Sequence, residues 1–321
     1  MRKLLFDNSL EFEVNVIGYK GIGECILFFI KTNHKVAYAG LVDCYKTKNC
    51  DIVKLLMDSE NVERLDFVCW THPHDDHTKG LEEMIEKFCD SATIFWTTDI
   101  LPENYSLYSE ESKIVYKKLK EIHLSDDPEK ININYAKNAT TMERLICRGL
   151  NNYVFEIKSF SPDSTMLAER QVRDQDEEGN LYSIGLLINI GRYYIMLAGD
   201  VENPVIETIK DFNIEYPVDY IKIPHHGSPS ASFLVDRLRG LDIFAPNIAT
   251  TTLYRIHGIP KRAVLDKYRA WGTEAIYSTG DVDNKENDTL PYGIIKTTFD
   301  ILEQKEYPIE TELIGNAVPV N

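Results

Sequence analysis

Length, composition and charge describe an acidic, folded protein. The chain has 321 residues, of which 43% are hydrophobic, and its formal net charge is −16. A chain of this kind can bury a large core, which excludes a disordered or fibrous protein. It holds no run of the roughly 20 apolar residues that a membrane-spanning helix needs, and its negative charge opposes indiscriminate binding to polyanions.

The cysteines and the first residues predict a soluble, unprocessed, cytoplasmic protein. Polar residues, among them Asp7, Asn8 and Glu11, interrupt the N-terminus before an apolar signal segment forms. The six cysteines show no CxxC spacing, which suits free thiols in a reducing compartment. They are Cys25, Cys44, Cys50, Cys69, Cys89 and Cys147.

The predicted elements of the first third begin with an antiparallel sheet. Three β-rich runs with turn signals between them cover residues 12–17, 24–31 and 35–42. A helix over 51–58, a strand over 65–70 and an amphipathic helix over 79–88 follow. A histidine-rich segment therefore lies in the loop between that strand and the second helix.

The rest of the chain repeats the order of the first third, in which paired strands are followed by a strand, a loop and a helix. A strand is predicted over 92–97, and the polar segment 101–150, helical over 114–122, is predicted to be an insertion or covering element within a single domain of residues 1–321. Paired strands return over 153–159, 182–190 and 192–197. Strands and helices then alternate over 201–212, 220–223, 232–239, 243–245, 261–271 and 274–278, and a strand over 293–301 precedes a tail.

Four candidate metal ligands lie within the segment 71–78, which reads Thr-His-Pro-His-Asp-Asp-His-Thr. His72 and His74 are two residues apart and point the same way in an extended loop, while Asp76 and His77 begin the next turn. Imidazole and carboxylate together suit one or two ions of Zn²⁺, Mn²⁺ or Fe²⁺. Capping of the next helix would explain the aspartates, but not three histidines.

This segment resembles the HxHxDH signature of the metallo-β-lactamase superfamily. The resemblance implies an αββα four-layer sandwich with mainly antiparallel or mixed sheets, in which the histidines of 71–78 and Asp76 bind metal. It implies that Asp43 orients these ligands from behind, although Asp43 alternatively begins a turn. By the same resemblance Asp200, which follows an apolar strand and Gly199, bridges two metals.

Two later segments resemble the metallo-β-lactamase domains of ComEC-type competence proteins and their stand-alone relatives. Residues 222–228 read Lys-Ile-Pro-His-His-Gly-Ser, and residues 254–260 read Tyr-Arg-Ile-His-Gly-Ile-Pro. The resemblance implies that His225 binds metal, while His226 and Ser228 support the site from outside. It also implies that His257 reaches the metal centre or a substrate phosphate, the alternative being a loop residue that faces solvent. Lys222, as one of the cations in these segments, is a further candidate catalytic residue at a substrate phosphate.

One histidine that the superfamily usually carries is missing. It is expected between residue 78 and residue 200, where the sequence has only His123, in the polar segment. Either Asp163 or water completes the affected metal position, or only the other position is complete. The ligands of that other position are then Asp76, His77, Asp200 and His225.

The resemblance implies a metal-dependent hydrolase in which a metal-bound water attacks a phosphoryl or carbonyl centre and Asp76 orients it. Phosphodiester cleavage in a nucleic acid or nucleotide is the first hypothesis, because cationic residues cluster in the matching segments: Lys222, Arg255, Lys261 and Arg262. Hydrolysis of a small ester, thioester or lactone is the second. A non-catalytic metal sensor or interaction protein and an oxygen-using diiron protein are further alternatives. The sequence has no phosphate-binding loop, dinucleotide fingerprint or GxSxG elbow.

Overall fold

Two large mixed β-sheets form the centre of the protein. The computed structural model describes residues 2–98, 108–173, 179–209 and 217–321. In spatial order the N-terminal sheet consists of β16 (Ile309–Gly315), β15 (Gly293–Asp300), β2 (Leu10–Gly18), β3 (Glu24–Thr32), β4 (Lys35–Val42), β5 (Phe67–Cys69), β6 (Ile94–Thr97) and β7 (Asn132–Tyr135). The C-terminal sheet consists of β1 (Lys3–Leu5), β8 (Thr140–Arg148), β9 (Asn152–Ser161), β10 (Gly185–Ile190), β11 (Tyr193–Leu197), β12 (Tyr220–Lys222), β13 (Ile248–Thr251), β14 (Ala275–Ser278) and β17 (Val318–Pro319).

Helices cover both outer faces of this pair of sheets. They are α1 (Ile52–Ser59), α2 (Asp75–Thr78), α3 (Leu81–Phe88), α4 (Glu110–Leu124), α5 (Ser164–Arg173), α6 (Asn203–Thr208), α7 (Phe233–Gly240) and α8 (Arg262–Trp271). None of the described helices is long and apolar enough to cross a membrane.

Three hydrophobic cores separate the four layers. Phe28 of one sheet and Phe155 of the other belong to the core between the sheets. Apolar side chains of α1, α3 and α4 pack on the outer face of the N-terminal sheet, as Met84 does, and those of α6, α7 and α8 pack on the C-terminal sheet, as Leu234 does. Burying each such side chain stabilises the fold by about 1.5–3 kcal/mol. This layering confirms the predicted αββα fold class.

Each sheet changes from antiparallel to parallel pairing partway across. In the N-terminal sheet β2, β3 and β4 pair antiparallel, and β4 to β7 pair parallel. In the C-terminal sheet β8 to β11 pair antiparallel, and β11 to β14 pair parallel. Because neighbouring parallel strands end at the same edge, the loops after β4 and β5 lie together, as do those after β11 and β12.

Most predicted elements are present, with three differences. The helix expected over 79–88 begins at Leu81, because Gly80 adopts a φ of 106° and separates it from α2. The strand expected over 243–245 lies instead at β13, where β-branched residues pair with β12 and β14. The expected tail forms β16 and β17.

The segment 101–150, predicted to be an insertion or covering element, takes part in several layers. Residues 101–107 lie outside the described residues. Helix α4 covers the N-terminal sheet through Val115, Tyr116 and Leu119. Strand β7 extends the N-terminal sheet and β8 extends the C-terminal sheet, so these two strands belong to the framework itself.

Candidate metal centre

The histidine and aspartate side chains singled out in the sequence meet at the ends of four strands. Asp43 follows β4, the segment 71–78 follows β5, Asp200 follows β11 and the segment 224–227 follows β12. The loops enclose the floor of a cavity of about 820 Å³. Among the side chains expected in the metal site, His74, Asp76, Asp200, His225 and His226 line this cavity.

The tightest group consists of four residues whose ligand atoms all lie within 4.8 Å of one another: Asp76, His77, Asp200 and His226. His226 Nε2 is 3.1 Å from Asp76 Oδ2 and 3.6 Å from Asp200 Oδ2. His77 Nε2 is 3.4 Å from the same Asp200 oxygen. Two atoms that each lie about 2.1 Å from a tetrahedral Zn²⁺ are about 3.4 Å apart, so this spacing suits one shared ion. We call this group position two.

Position two contains His226, whereas the sequence interpretation placed His225 there and His226 outside. The two histidines are adjacent in the chain, and their ring centroids lie 6.1 Å apart at an interplanar angle of 60°. His225 Nε2 lies 3.8 Å from Asp200 Oδ2. The structure therefore brings both rings close to the same carboxylate.

His72 and His74 form another pair of neighbouring rings in the cluster. The two rings are 4.5 Å apart between centroids, and His72 Nε2 is 3.8 Å from Asp200 Oδ2. The His72 ring also lies 4.3 Å from the His77 ring. We call the group of His72, His74 and Asp200 position one.

Three buried atoms of this cluster have no hydrogen-bond partner among the described residues: His72 Nε2, His77 Nε2 and Asp200 Oδ1. A buried polar atom without a partner destabilises a fold by about 1–3 kcal/mol. Cations bound among these side chains would give all three atoms a partner. The donor set therefore fits divalent metal ions.

Asp43 fixes the orientation of two rings from behind. Its Oδ2 is 2.7 Å from His77 Nδ1 and accepts a hydrogen bond of 2.6 Å from Thr71 Oγ1. Thr71 Oγ1 is in turn 2.9 Å from His72 Nδ1. The Nε2 atoms of both rings are thereby directed towards Asp200, while Asp43 itself, with a φ of 57°, also forms the turn after β4.

Glu24 holds His226 in the same manner, although the sequence analysis did not identify it. It is 2% exposed, and one of its carboxylate oxygens is 3.0 Å from His226 Nδ1. Thr252 Oγ1 lies 2.6 Å from the same ring nitrogen and donates a short hydrogen bond to the Glu24 carboxylate, so it links the ring to Glu24 as well. The available signal in the sequence was a charged residue at the start of the apolar run 24–30.

Lys222 does not reach the cavity, in contrast to the expectation that it contacts a substrate phosphate. Its side chain is 0% exposed, and its ammonium is 2.9 Å from Glu24. A buried lysine requires a counter-charge, which Glu24 supplies. Lys222 therefore acts on the site only through Glu24 and His226.

Charges around the cluster set the protonation of its histidines. Burial alone would lower the pKa of His226, but Glu24 and Asp200 outweigh it and raise that pKa to about 9. Surrounding carboxylates, Asp200 most strongly, likewise overcome burial and raise the pKa of His77 well above its ordinary value. Burial, together with the neighbouring histidines, lowers the pKa of His72 well below its ordinary value. Without metal, these carboxylates therefore favour the cationic, doubly protonated form of the His226 and His77 rings.

The wall of the cavity carries a stack of three rings. Tyr254 lies 5.0 Å from the His226 ring at an interplanar angle of 18°, and 4.9 Å from the His257 ring at 10°. His257 is exposed and stays apart from the ligand cluster. Ser228 also lines the wall, with its Oγ 2.9 Å from Ser230 Oγ.

The cationic residues expected beside the metals are mostly engaged elsewhere. Arg255 bonds to Asp288, and Arg262 bonds to Asp283. Of the four described cations, Lys261 alone lines the cavity. The acidic residues that line the cavity are Asp75, Asp76, Asp200 and Glu202.

The two residues considered in place of the missing histidine lie away from the cavity lining. His123 is exposed near the end of α4. Asp163 accepts hydrogen bonds from the backbone of Thr165 and Met166 at 2.9 and 3.3 Å, and so caps α5. Neither residue completes position one.

No protein-family model matches this chain, and the search of curated proteins gives no match. The solved structures to which it is similar include the CmlA β-hydroxylase E377D mutant, 13% identical over 90% of this chain and 54% of that one, with a TM-score of 0.46. The chain thus spans about half of CmlA. The metallo-β-lactamase fold protein YhfI from Bacillus subtilis is 13% identical over 81% of this chain and 91% of that chain, with a TM-score of 0.43. Human tRNase Z, short form, is 12% identical over 80% of this chain and 83% of that chain, with a TM-score of 0.36.

Proposed function

We propose that this protein is a metal-dependent hydrolase of the metallo-β-lactamase superfamily. The observation that carries the proposal is the group of buried, unpartnered atoms of His72, His77 and Asp200 beside an open cavity that Asp200, His74 and Asp76 line. Divalent ions bound there would supply a water activated near neutral pH and would stabilise the oxyanion that forms on the substrate.

The side chains around the site would act as follows. Asp43 and Glu24 hold the His77 and His226 rings in fixed orientations, so little reorganisation is needed at the moment of reaction. Asp76 lies between these rings and the cavity. Its carboxylate is placed to accept a hydrogen bond, and then the proton, from the water that attacks the substrate.

We propose a small phosphodiester of about nucleotide size as the substrate. The cavity of about 820 Å³ falls within the usual range for small-molecule sites, about 300–1,000 Å³. The stacked rings of Tyr254 and His257 offer a face for a planar group, and Lys261 offers a charge for the phosphate. A polymeric nucleic acid would need several more cations along the surface, whereas the chain carries a net charge of −16.

Turnover by metal-reconstituted protein tests the proposal. The probe is bis-p-nitrophenyl phosphate, with single-stranded DNA and RNA assayed in parallel. Removing the groups that move the proton and hold the metal, in Asp76→Asn and His226→Ala, should lower kcat/KM by roughly 10²–10⁴-fold. The matched control, His123→Ala, should retain full activity. A metal-loaded protein that turns over neither diesters, esters nor lactones would favour the sensor hypothesis instead.

A neutral ester, thioester or lactone is the second candidate, because four acidic residues line the cavity against one lysine. That balance repels a substrate with more than one negative charge. The variant Lys261→Ala separates the two candidates. It should raise KM for a diester and leave KM for p-nitrophenyl acetate unchanged.

A further inference from the structure

We propose that His225 is a ligand of position one and takes the place of the histidine that the sequence lacks between residues 78 and 200. The proposal rests on the metal centre proposed above and assigns its ligands. Position one would then consist of His72, His74, His225 and Asp200, while position two keeps Asp76, His77, Asp200 and His226.

The first argument is the position of the His225 ring. Its Nε2 lies 3.8 Å from Asp200 Oδ2, the same distance as the Nε2 of His72. Both distances are too long for hydrogen bonds, but both are close to the spacing of two atoms that share a metal ion. The ring also lines the cavity floor together with His74.

The second argument is the backbone that turns two adjacent rings in different directions. His225 has a φ of 46° and His226 a φ of 51°, and Gly227 follows with a φ of 79°. A non-glycine residue is disfavoured in this left-handed region because its Cβ crowds the following carbonyl oxygen. Such strain persists where the surrounding structure requires it, typically at functional sites. Here the turn delivers one histidine to each metal position.

The third argument is the bonding of the other ring nitrogen. His225 Nδ1 lies 2.9 Å from Glu202 Oε1 and 3.1 Å from Ser230 Oγ. Glu202 is thus placed to accept the Nδ1 proton and leave the Nε2 lone pair for a cation. Around Nε2 the structure has only a long contact of 3.5 Å from Asn180 Nδ2 among the described hydrogen bonds.

The same arrangement occurs at two other histidines of the centre. Asp43 backs His77 at 2.7 Å, and Glu24 backs His226 at 3.0 Å. A carboxylate behind a ligating imidazole raises its basicity and fixes its tautomer. Glu202 therefore stands behind the His225 ring as Asp43 and Glu24 stand behind the rings of His77 and His226.

Metal content tests this assignment independently of activity. Chelator-treated protein is dialysed against Zn²⁺ alone, and bound zinc is measured by mass spectrometry. We expect two ions per chain in the wild type and one in His225→Ala. The variant His225→Gly, which removes the ring and accepts the left-handed backbone, should also bind one. The matched control His123→Ala should bind two.

Further variants identify which ion is lost. We expect His226→Ala to lose the ion of position two, and the double variant His225→Ala/His226→Ala to lose both. Glu202→Gln should weaken one of the two ions by roughly 10–100-fold and leave the other unchanged.

The ligand assignment of His225 and the proposed function would be overturned by two different results. If wild-type protein binds zinc and both His225 variants bind the same number of ions with unchanged affinity, His225 is not a ligand, while the proposed metallohydrolase stands. If wild-type protein binds no divalent metal, the proposed function itself fails.

Discussion

Replacing Glu24 should affect the stability of the fold through Lys222 and the binding of metal through His226, and the two effects can be measured separately. Glu24 pairs with Lys222 on one side and His226 on the other, and both carboxylate and ammonium are almost fully buried. The variant Glu24→Gln keeps the shape and removes the charge. Lys222 is then left as a buried cation without a partner. Removing one partner of a buried ion pair typically destabilises a protein by about 3–5 kcal/mol.

Glu24→Gln should also weaken zinc binding, because His226 loses the carboxylate behind its Nδ1. Loss of such a partner lowers metal affinity by about 10–100-fold. The two effects are measured separately, stability by urea unfolding of metal-free protein and affinity by competition with a chromophoric chelator.

The double variant Glu24→Gln/Lys222→Met tests the reasoning. It replaces the ion pair by neutral groups of similar size, so we expect it to recover most of the lost stability. The zinc affinity should stay low, because the carboxylate is still absent. Recovery of both quantities, or of neither, would refute the view that Lys222 serves to balance the charge of Glu24 while Glu24 orients His226.

Three further predictions concern pH, metal and substrate. His226 has a pKa raised to about 9, so its contribution to the stability of metal-free protein should be fully present below its unfolded pKa of about 6.5 and lost as pH rises through 9. Zinc affinity should rise as pH rises through the same window, since the ion must displace that proton. Calorimetry in buffers of different ionisation enthalpy would detect the released proton. If no proton were released, His226 would not be a metal ligand. Saturating zinc at about 1,000 times its Kd should stabilise the fold by about 4 kcal/mol, seen as a higher Tm that a chelator reverses. Removing the ring face in Tyr254→Ala should raise KM for a nucleotide diester more than KM for bis-methyl phosphate, and equal effects would argue against stacking.

The local part of the metal centre was predictable from the sequence because its ligands are close in the chain. Three histidines and an aspartate within 71–78 have no common structural explanation, and the apolar run before Asp200 marks a strand end. The order of the strands then places these ends at one edge. The sequence pattern is sufficient to predict a metal ligand where residues close in the chain determine its position.

The remainder depends on contacts that the sequence pattern does not contain. Glu24 and Lys222 are 198 residues apart, so neither the pairing nor the burial of Lys222 follows from the local sequence. The directions of His225 and His226 depend on two left-handed φ values, for which the adjacent Gly227 gives only a weak signal. Strand β13 was placed too early because 243–245 is a short apolar run, whereas 248–251 ends in two threonines and only its pairing with β12 and β14 identifies it as the strand.

The three loops that supply position two come from both halves of the chain, since Asp76 and His226 are 150 residues apart. This separation has a kinetic consequence. The site is complete only after both sheets have formed and packed together, so its full affinity for metal arises at the end of folding. A half-folded chain offers the segment 71–78 alone, and an ion captured there would lack Asp200 and both histidines of the second half. Uptake of metal with native affinity would therefore report that the two halves have joined.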